Sequence, residues 1–329
     1  ASSSYKANQL IPNTRTFEYD PRYRLIRATG KQHATVVSKS DDILVPSPDP
    51  NDYDPYDFTY SYDEVGNLSR NDEYATELHY KAGRIDLFNG DEDEAGSFTA
   101  PHEGNFRYDD NGNTVKTPRL EALAYTHDDQ SRWVKLNSGG DAVRYFRHAD
   151  QRVLRFVSKG QVRVLSVYLG PFEYHHRAGG SVEYGKVVLH VHGHGRHAQV
   201  EHVLDGSDPD SLDIFYHHGD HLGSGHVLTK DDATLMSQEE YFPYGRSSDR
   251  RDARNRYRFI GVERDEETGM CMTGPRQYDP VMGRFLEGDP AAPSNSGRSP
   301  FAYAACNPVR MLDPGGYQET PASGAAAET

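Results

Sequence analysis

Apolar and polar positions along this chain alternate in short runs. In "FTYSYDEVGNLSR" (58–70), Phe58, Tyr60 and Tyr62 fall on one face of a strand with period two. The polar stretch "DEVGN" follows, and Leu68 opens a return run. Asp63 can accept backbone N–H bonds across the turn, while Gly66 and Asn67 tolerate positive φ. A close copy, "FRYDDNGNTVK", occupies 106–116, and looser copies lie at 17–30, 123–136 and 143–156. Tyr19, Tyr62, Tyr80, Tyr108, Tyr125 and Tyr145 recur unevenly, at roughly 20 residues or a multiple of it. A sustained i, i+3, i+4 apolar pattern is nearly absent, so helix should be scarce. One hairpin alone is marginal. Stacked copies bury each other's faces, which predicts a mostly all-β chain of hairpins joined into an extended or wrapped sheet. Alternating Tyr and Phe read as cross-strand packing pairs. "SPDPNDYDPYD" (47–57) reads as a linker between copies and "DEDEAGSF" (91–98) as an acidic solvated loop.

Composition sharpens this picture. The 329 residues include 22 Tyr and 30 Gly, which suits short strands and tight turns. A net charge of −14 argues against nucleic acid as a general partner and against an anionic membrane surface. Mean hydropathy is −0.82, and no run approaches the roughly 18 apolar residues of a membrane span. No signal peptide is visible, and Ala1 stands in polar sequence, so the chain reads as an excerpt of a longer one. Cys271 and Cys306 read as two free thiols.

Two clusters invite chemistry. "LHVHGHGRHAQVEH" (189–202) holds His190, His192, His194, His197, Glu201 and His202. Alternating imidazoles can bind zinc, but no cysteine accompanies them and the glycines suggest a loose hairpin, so exposed histidines are expected and no metal or cofactor. In "HHGDHLGSGH" (217–226), Asp220 should cap a turn, Gly223 supply positive φ and Ser224 bond backbone. Phosphate-loop, nucleophile-elbow and zinc-helix motifs are missing from the sequence. The second cluster is at the end of the chain, where Asp279, Asp289 and Asp313 each precede proline. Asp-Pro commonly opens a turn, and Asp279 in "YDPVMGRF" reads as a hairpin turn. Glu263 and Asp265 in "GVERDEETGM" read as a charged turn.

The tyrosine-aspartate copies resemble the YD repeats of Rhs proteins and of the B and C components of insecticidal Tc toxins. "FYHHGDHLGSGHVLTKDDATLMSQEEYFPYGR" (215–246) is similar to that family's H-x-D-H-L-G-S unit and its Y-x-P-Y-G close. "YRFIGVERDEETGMCMTGPRQYDPVMGRFLEGDP" (257–290) and "NPVRMLDPGG" (307–316) are similar to the Rhs-associated core. The resemblance spans most of the chain and is strongest over 215–316. It implies a spiralling β-sheet that forms part of a hollow shell, closed by a C-terminal core plug. On that reading 1–256 is shell, 257–317 is core and autoprotease, and 318–329 is a disordered stub of a variable region. The shell would enclose the polypeptide's own C-terminal toxin cargo and release it by a single aspartyl cut. A B-type shell component or missing N-terminal repeats would complete the enclosure, since 329 residues are too few to close it. The product would be assembled in the bacterial cytoplasm, then secreted or delivered into a target cell within a toxin complex.

The resemblance also assigns residues. Aspartyl cleavage needs two carboxylates close together and sharing a proton. Asp289 and Asp313 match the family's two Asp-Pro positions and are the expected catalytic pair, with Arg284 as the orienting guanidinium. The cut is expected at Tyr317–Gln318 or within a residue or two. Tyr317 departs from the leucine usual there. The rival expectation is a YD-repeat surface protein that binds carbohydrate or a partner, with an inactive core.

Overall fold

The tyrosine-aspartate stretches form hairpins closed by one recurring five-residue turn. The computed structural model describes residues 4–6, 9–11, 13–34, 52–73, 78–81, 84–88, 106–137, 139–180, 183–193, 195–204, 211–251, 254–291 and 298–322. In the turn at Asp63, the Asp63 N–H bonds the Asn67 carbonyl at 2.9 Å and the Gly66 N–H returns to the Asp63 carbonyl at 3.1 Å. The Asp63 carboxylate accepts the N–H groups of Val65 and Asn67. Asp20, Asp109 and Asp220 close their turns with the same backbone pair. The fourth residue of each is left-handed: Tyr23, Gly66, Gly112 and Gly223 have φ of 62°, 85°, 93° and 78°. Asn67, expected to share that conformation, instead turns its side-chain amide back onto Asp63 at 2.7 Å.

The hairpins build a meander. Twelve antiparallel strands, running in order from Leu120–Tyr125 to Ser247–Arg251, make one sheet in which every strand pairs with its sequence neighbour. A four-stranded sheet of Thr16–Tyr19, Leu25–His33, Tyr53–Tyr62 and Leu68–Asn71 precedes it. The Tyr53 hydroxyl reaches Asp249 at 2.8 Å, and Arg15 pairs with Glu240 at 2.7 Å. The end of the long sheet is therefore folded back against the first sheet. Among the described residues no α-helix occurs, and helical structure is confined to 3-10 turns at Phe259–Gly261 and Ala304–Cys306.

Residues 254–291 and 298–312 fill the space between the sheets. Phe259, Tyr278, Phe285 and Tyr303 pack with Tyr56, Tyr60, Leu68, Phe242 and Tyr244 in one apolar core, which also takes in Phe58 and Tyr62 as the alternation predicts. Met270 and Leu286 join Leu120, Leu123, Val134, Val143 and Val157 in a second. Cys271 and Cys306 are buried free thiols, and burial pushes them up to about 11 and about 12.

The long sheet is inverted relative to an ordinary sandwich. Its face toward residues 254–267 is charged. Arg152 pairs with Glu263 and Asp265, Arg155 with Asp265 and Glu267, and Arg256 with Glu173 and Glu263. The Tyr145 hydroxyl donates to Asp265 at 2.5 Å. Burial works to raise the Asp265 carboxyl, but Arg155 and Arg152 overcome it and hold the group below its ordinary range. Glu263 and Asp265, read from the sequence as a charged turn, are both buried in the seam. The opposite face carries the row Leu169, Phe172, Leu189, Val200 and Ile214, paired strand to strand. Leu169 is 67% and Phe172 48% exposed.

Two other expectations change. Residues 53–57 are not linker but the start of a ten-residue strand. Pro55 is tolerated because its pairing neighbour is Lys31 on one side, while the strand Leu68–Asn71 reaches only Tyr60–Tyr62 on the other. Residues 318–322 are not a loose stub. Thr320–Pro321 pairs with Met311–Leu312, the Ala322 N–H bonds the Arg310 carbonyl, and Ala322 is buried. The predicted acidic loop at 91–98, residues 47–51 of the linker and residues 323–329 lie outside the described residues.

Candidate active site

Each Asp-Pro pair opens a turn, and each aspartate uses a carboxylate oxygen to close it. Asp279 accepts the N–H groups of Val281 and Met282, and both its oxygens meet Arg119 at 2.9 Å. It caps the hairpin between Arg276–Asp279 and Arg284–Phe285 and ties it to the long sheet. Asp289 accepts the Ala291 N–H at 2.8 Å. Asp313 Oδ1 accepts the N–H groups of Tyr317 and Gln318 at 3.1 and 3.3 Å. Asp289 and Asp313 differ from Asp279 in sharing one partner. Arg276 Nη2 lies 2.8 Å from Asp313 Oδ2 and 3.7 Å from Asp289 Oδ2.

Arg276 is the centre of the cluster. Its Nε donates to the Gly316 carbonyl at 2.8 Å and its Nη1 to the Pro300 carbonyl at 3.2 Å. Its guanidinium carbon stands 3.6 Å from the centroid of the Phe285 ring, over its face. Burial lowers the Arg276 pKa, and Asp289, Asp313 and Glu287 counteract it. Burial raises the Asp313 carboxyl above its ordinary range, only partly offset by Arg276 and the N–H groups of Tyr317 and Gln318. Glu287 is fully buried, accepts the Gln277 N–H at 2.7 Å, and is pushed up to about 8 by burial against the weaker pull of that N–H, Arg147 and Arg276.

The expected pair is therefore brought together, but by a guanidinium between the two carboxylates. Arg284 does not take the orienting place. Its guanidinium lies 5.5 Å from the Tyr80 ring centroid and 4.7 Å from that of Phe301. Proximity in sequence to Asp289 points to Arg284. A better signal is present: alternation places Arg276 on the same strand face as the buried Tyr278, and a buried arginine requires carboxylates. Glu287 gives no comparable sign.

Tyr317 and Gln318 lie in the loop between Met311–Leu312 and Thr320–Pro321, the hairpin that brings the chain back on itself. Gly316, at φ 67°, makes the approach possible. A Cβ there would stand 2.2 Å from the Thr273 carbonyl. The peptides on either side of Tyr317 thus have their nitrogens on Asp313, while Arg276 holds the carbonyl of Gly316.

Of the histidines expected to be exposed, His192 and His197 are, but His190 is buried. His190 and His175 flank Glu173, each at 2.9 Å, inside the charged seam. His202 bonds the Ser211 carbonyl, and His217 bonds Gln199. Burial lowers His217 to about 3, with Arg196 and neighbouring histidines adding to the effect. Among the described residues no group of three or more His, Cys, Asp or Glu converges to hold a metal, and His194 lies outside them. In the second motif Asp220 caps the turn by accepting the N–H groups of Leu222 and Ser224. Ser224 Oγ accepts the Ile260 N–H, joining this turn to the core segment.

Comparison with known proteins agrees with this architecture. No family model matches the chain. It is 29% identical over 336 residues to toxin subunit YenC2 of Yersinia entomophaga, covering 94% of this chain and 34% of the relative. Toxin subunit YenC1 of the same organism is 27% identical over 342 residues, with the same coverage. The chain thus spans about a third of the length of these curated relatives. Among solved structures, the TcdB2-TccC3-Cdc42 crystal structure superposes with a TM-score of 0.76 at 24% identity, over 95% of this chain and 16% of that one. The nearly all-β fold is therefore similar to that of the TcdB2-TccC3 shell. In sequence, the chain is similar over nearly its whole length to these two toxin subunits.

Proposed function

We propose that this chain is the late shell and core of a Tc-type toxin component. It encloses its own C-terminal toxin segment, with upstream repeats or a B-type component completing the enclosure, and frees it by one aspartyl cut at a peptide flanking Tyr317. The observation that carries the reading is the junction of Asp289, Arg276 and Asp313 beside a hairpin loop whose backbone Arg276 and Asp313 already hold. Asp289, the more exposed carboxylate, takes the proton of the attacking water. Asp313, whose carboxyl burial raises above its ordinary range, gives a proton to the departing amine. Arg276 keeps the two carboxylates together and polarises the adjacent carbonyl. The peptide and one water yield a carboxylate and an amine.

The test is intact mass of the full-length chain carrying a C-terminal tag, wild type beside Asp289→Asn. Wild type should be cut beside Tyr317, and the variant should be slowed roughly a hundredfold or more. The fragment masses also fix the bond, because cuts at Gly316–Tyr317 and Tyr317–Gln318 differ by one tyrosine. A folded wild-type shell that stays whole would overturn the protease reading and favour a binding protein with an inactive core.

A further inference from the structure

We infer that the shell supplies a specificity residue to this site: Asp150, in the turn between two strands of the long sheet, recognises the side chain of Tyr317. The inference rests on the proposed cut beside Tyr317. Asp150 belongs to the hairpin of Ala142–His148 and Gln151–Lys159, far from the core in sequence. Three contacts bring its turn to the candidate loop. Arg147 donates to the Asp150 carbonyl at 3.4 Å and, with the same nitrogen, to the Gly274 carbonyl at 2.7 Å. Gly274 in turn packs on the Gly315 carbonyl so closely that a Cβ would stand 2.1 Å from it. Gly315 and Gly316 lead directly into Tyr317, whose backbone Asp313 and Arg276 hold.

Asp150 is prepared for a phenol. Gln130, from the neighbouring turn of the sheet, donates to Asp150 Oδ1 at 2.9 Å and fixes the carboxylate. The other oxygen is left for a phenol, and Asp150 is the charged neighbour of the Tyr317 hydroxyl. That neighbour is the first cause of the raised Tyr317 hydroxyl pKa. Tyr317 remains 39% exposed, so it does not sit in the apolar pocket that an aliphatic side chain would need. A hydrogen bond to a charged acceptor replaces apolar burial as the means of holding this residue. A leucine at 317 could not use it. Asp150 acts here through the substrate residue and takes no part in bond breaking. It therefore sets which residue stands at the cut and leaves the chemistry to Asp289 and Asp313.

The experiment follows the cleavage time course of newly synthesised, tagged full-length chain by intact mass. The variants are Asp150→Asn, Asp150→Ala, Tyr317→Phe, Tyr317→Leu and the combinations. Asp150→Ala and Tyr317→Phe should each slow the cut about tenfold or move it by a residue, the scale of one charge-assisted hydrogen bond. Their combination should be no slower than either alone. Asp150→Ala should make no difference when leucine stands at 317. The inference is overturned if Asp150→Asn and Asp150→Ala leave rate and position unchanged. It is equally overturned if they slow the Tyr317 and Leu-substituted chains alike, because that would mark a merely structural turn. An uncut wild type would instead overturn the cleavage reading and this one with it, and the wild-type control separates that outcome from the other two.

Discussion

A carboxylate before proline commits oxygen to its own turn, and its chemistry depends on what meets the rest. Asp279 meets Arg119 and forms a buried pair. Asp289 and Asp313 meet a single Arg276. We predict that Asp279→Ala, by stranding the Arg119 charge, costs roughly 3–5 kcal/mol of folding stability while the cut stays beside Tyr317. Urea unfolding and intact mass check the two halves. Glu287 gives a pH prediction. Its folded pKa of about 8 stands above the ordinary 4.5, because burial favours the neutral acid. Between these values the unfolded chain binds fewer protons than the native one, so stability falls as pH rises from about 4.5 to 8. Glu73, pushed up to about 7 by burial, adds to the same trend. Glu287→Gln should flatten the decline, by about 1.4 kcal/mol per pH step of one across that window. Urea midpoints at pH 5 and pH 8 read it; an unchanged slope in the variant would show that Glu287 is not the source.

At the scale of elements, the recurring turn is the most legible feature. Asp63, Gly66 and the alternating aromatics before them specify a hairpin with purely local chemistry. Residues 53–57 mislead because Pro and Asp usually mark a break, and only the partial overlap of the flanking strands shows why Pro55 is permitted. Alternation can mark Arg276 but not its carboxylates, because these lie 13 and 37 residues away and converge only when the sheet closes over the core. The seam residues Glu263 and Asp265 read only as a charged turn for the same reason. Arg152 and Arg155 lie more than a hundred residues upstream, although Glu263 also pairs with the nearby Arg256. Glycines at left-handed positions allow a graded test. Gly245 has φ 91°, and a Cβ there would meet Phe259 at 2.4 Å, whereas Gly170 at φ 62° faces open space. Alanine at Gly170 should cost about 1 kcal/mol from backbone strain. Alanine at Gly245 should cost several-fold more, because the ring cannot move within the packed core. Thermal unfolding of the two variants would rank them.

Across the whole molecule, the charged seam decides which face of the long sheet receives the core. An apolar seam would accept several registers. Paired guanidinium and carboxylate groups accept few, since any slip strands a buried charge. Arg155→Met alone should therefore destabilise by roughly 3–5 kcal/mol. The seam should also be insensitive to added salt, because its charges are removed from solvent. Urea unfolding at low and at molar salt would test both; strong salt dependence would mean the seam is wet.

The small hairpin at the end of the chain has one more consequence. The proposed cut beside Tyr317 would not by itself part the pieces, since Thr320–Pro321 is paired with Met311–Leu312 and Ala322 is buried. What was a covalent tether becomes a clasp. Such a clasp yields to a pull along the downstream chain, one residue pair at a time, and resists diffusion while nothing pulls. Cutting and letting go become separate events on separate clocks, so a chain already cut can wait, held by a few weak bonds, until something draws on its free end.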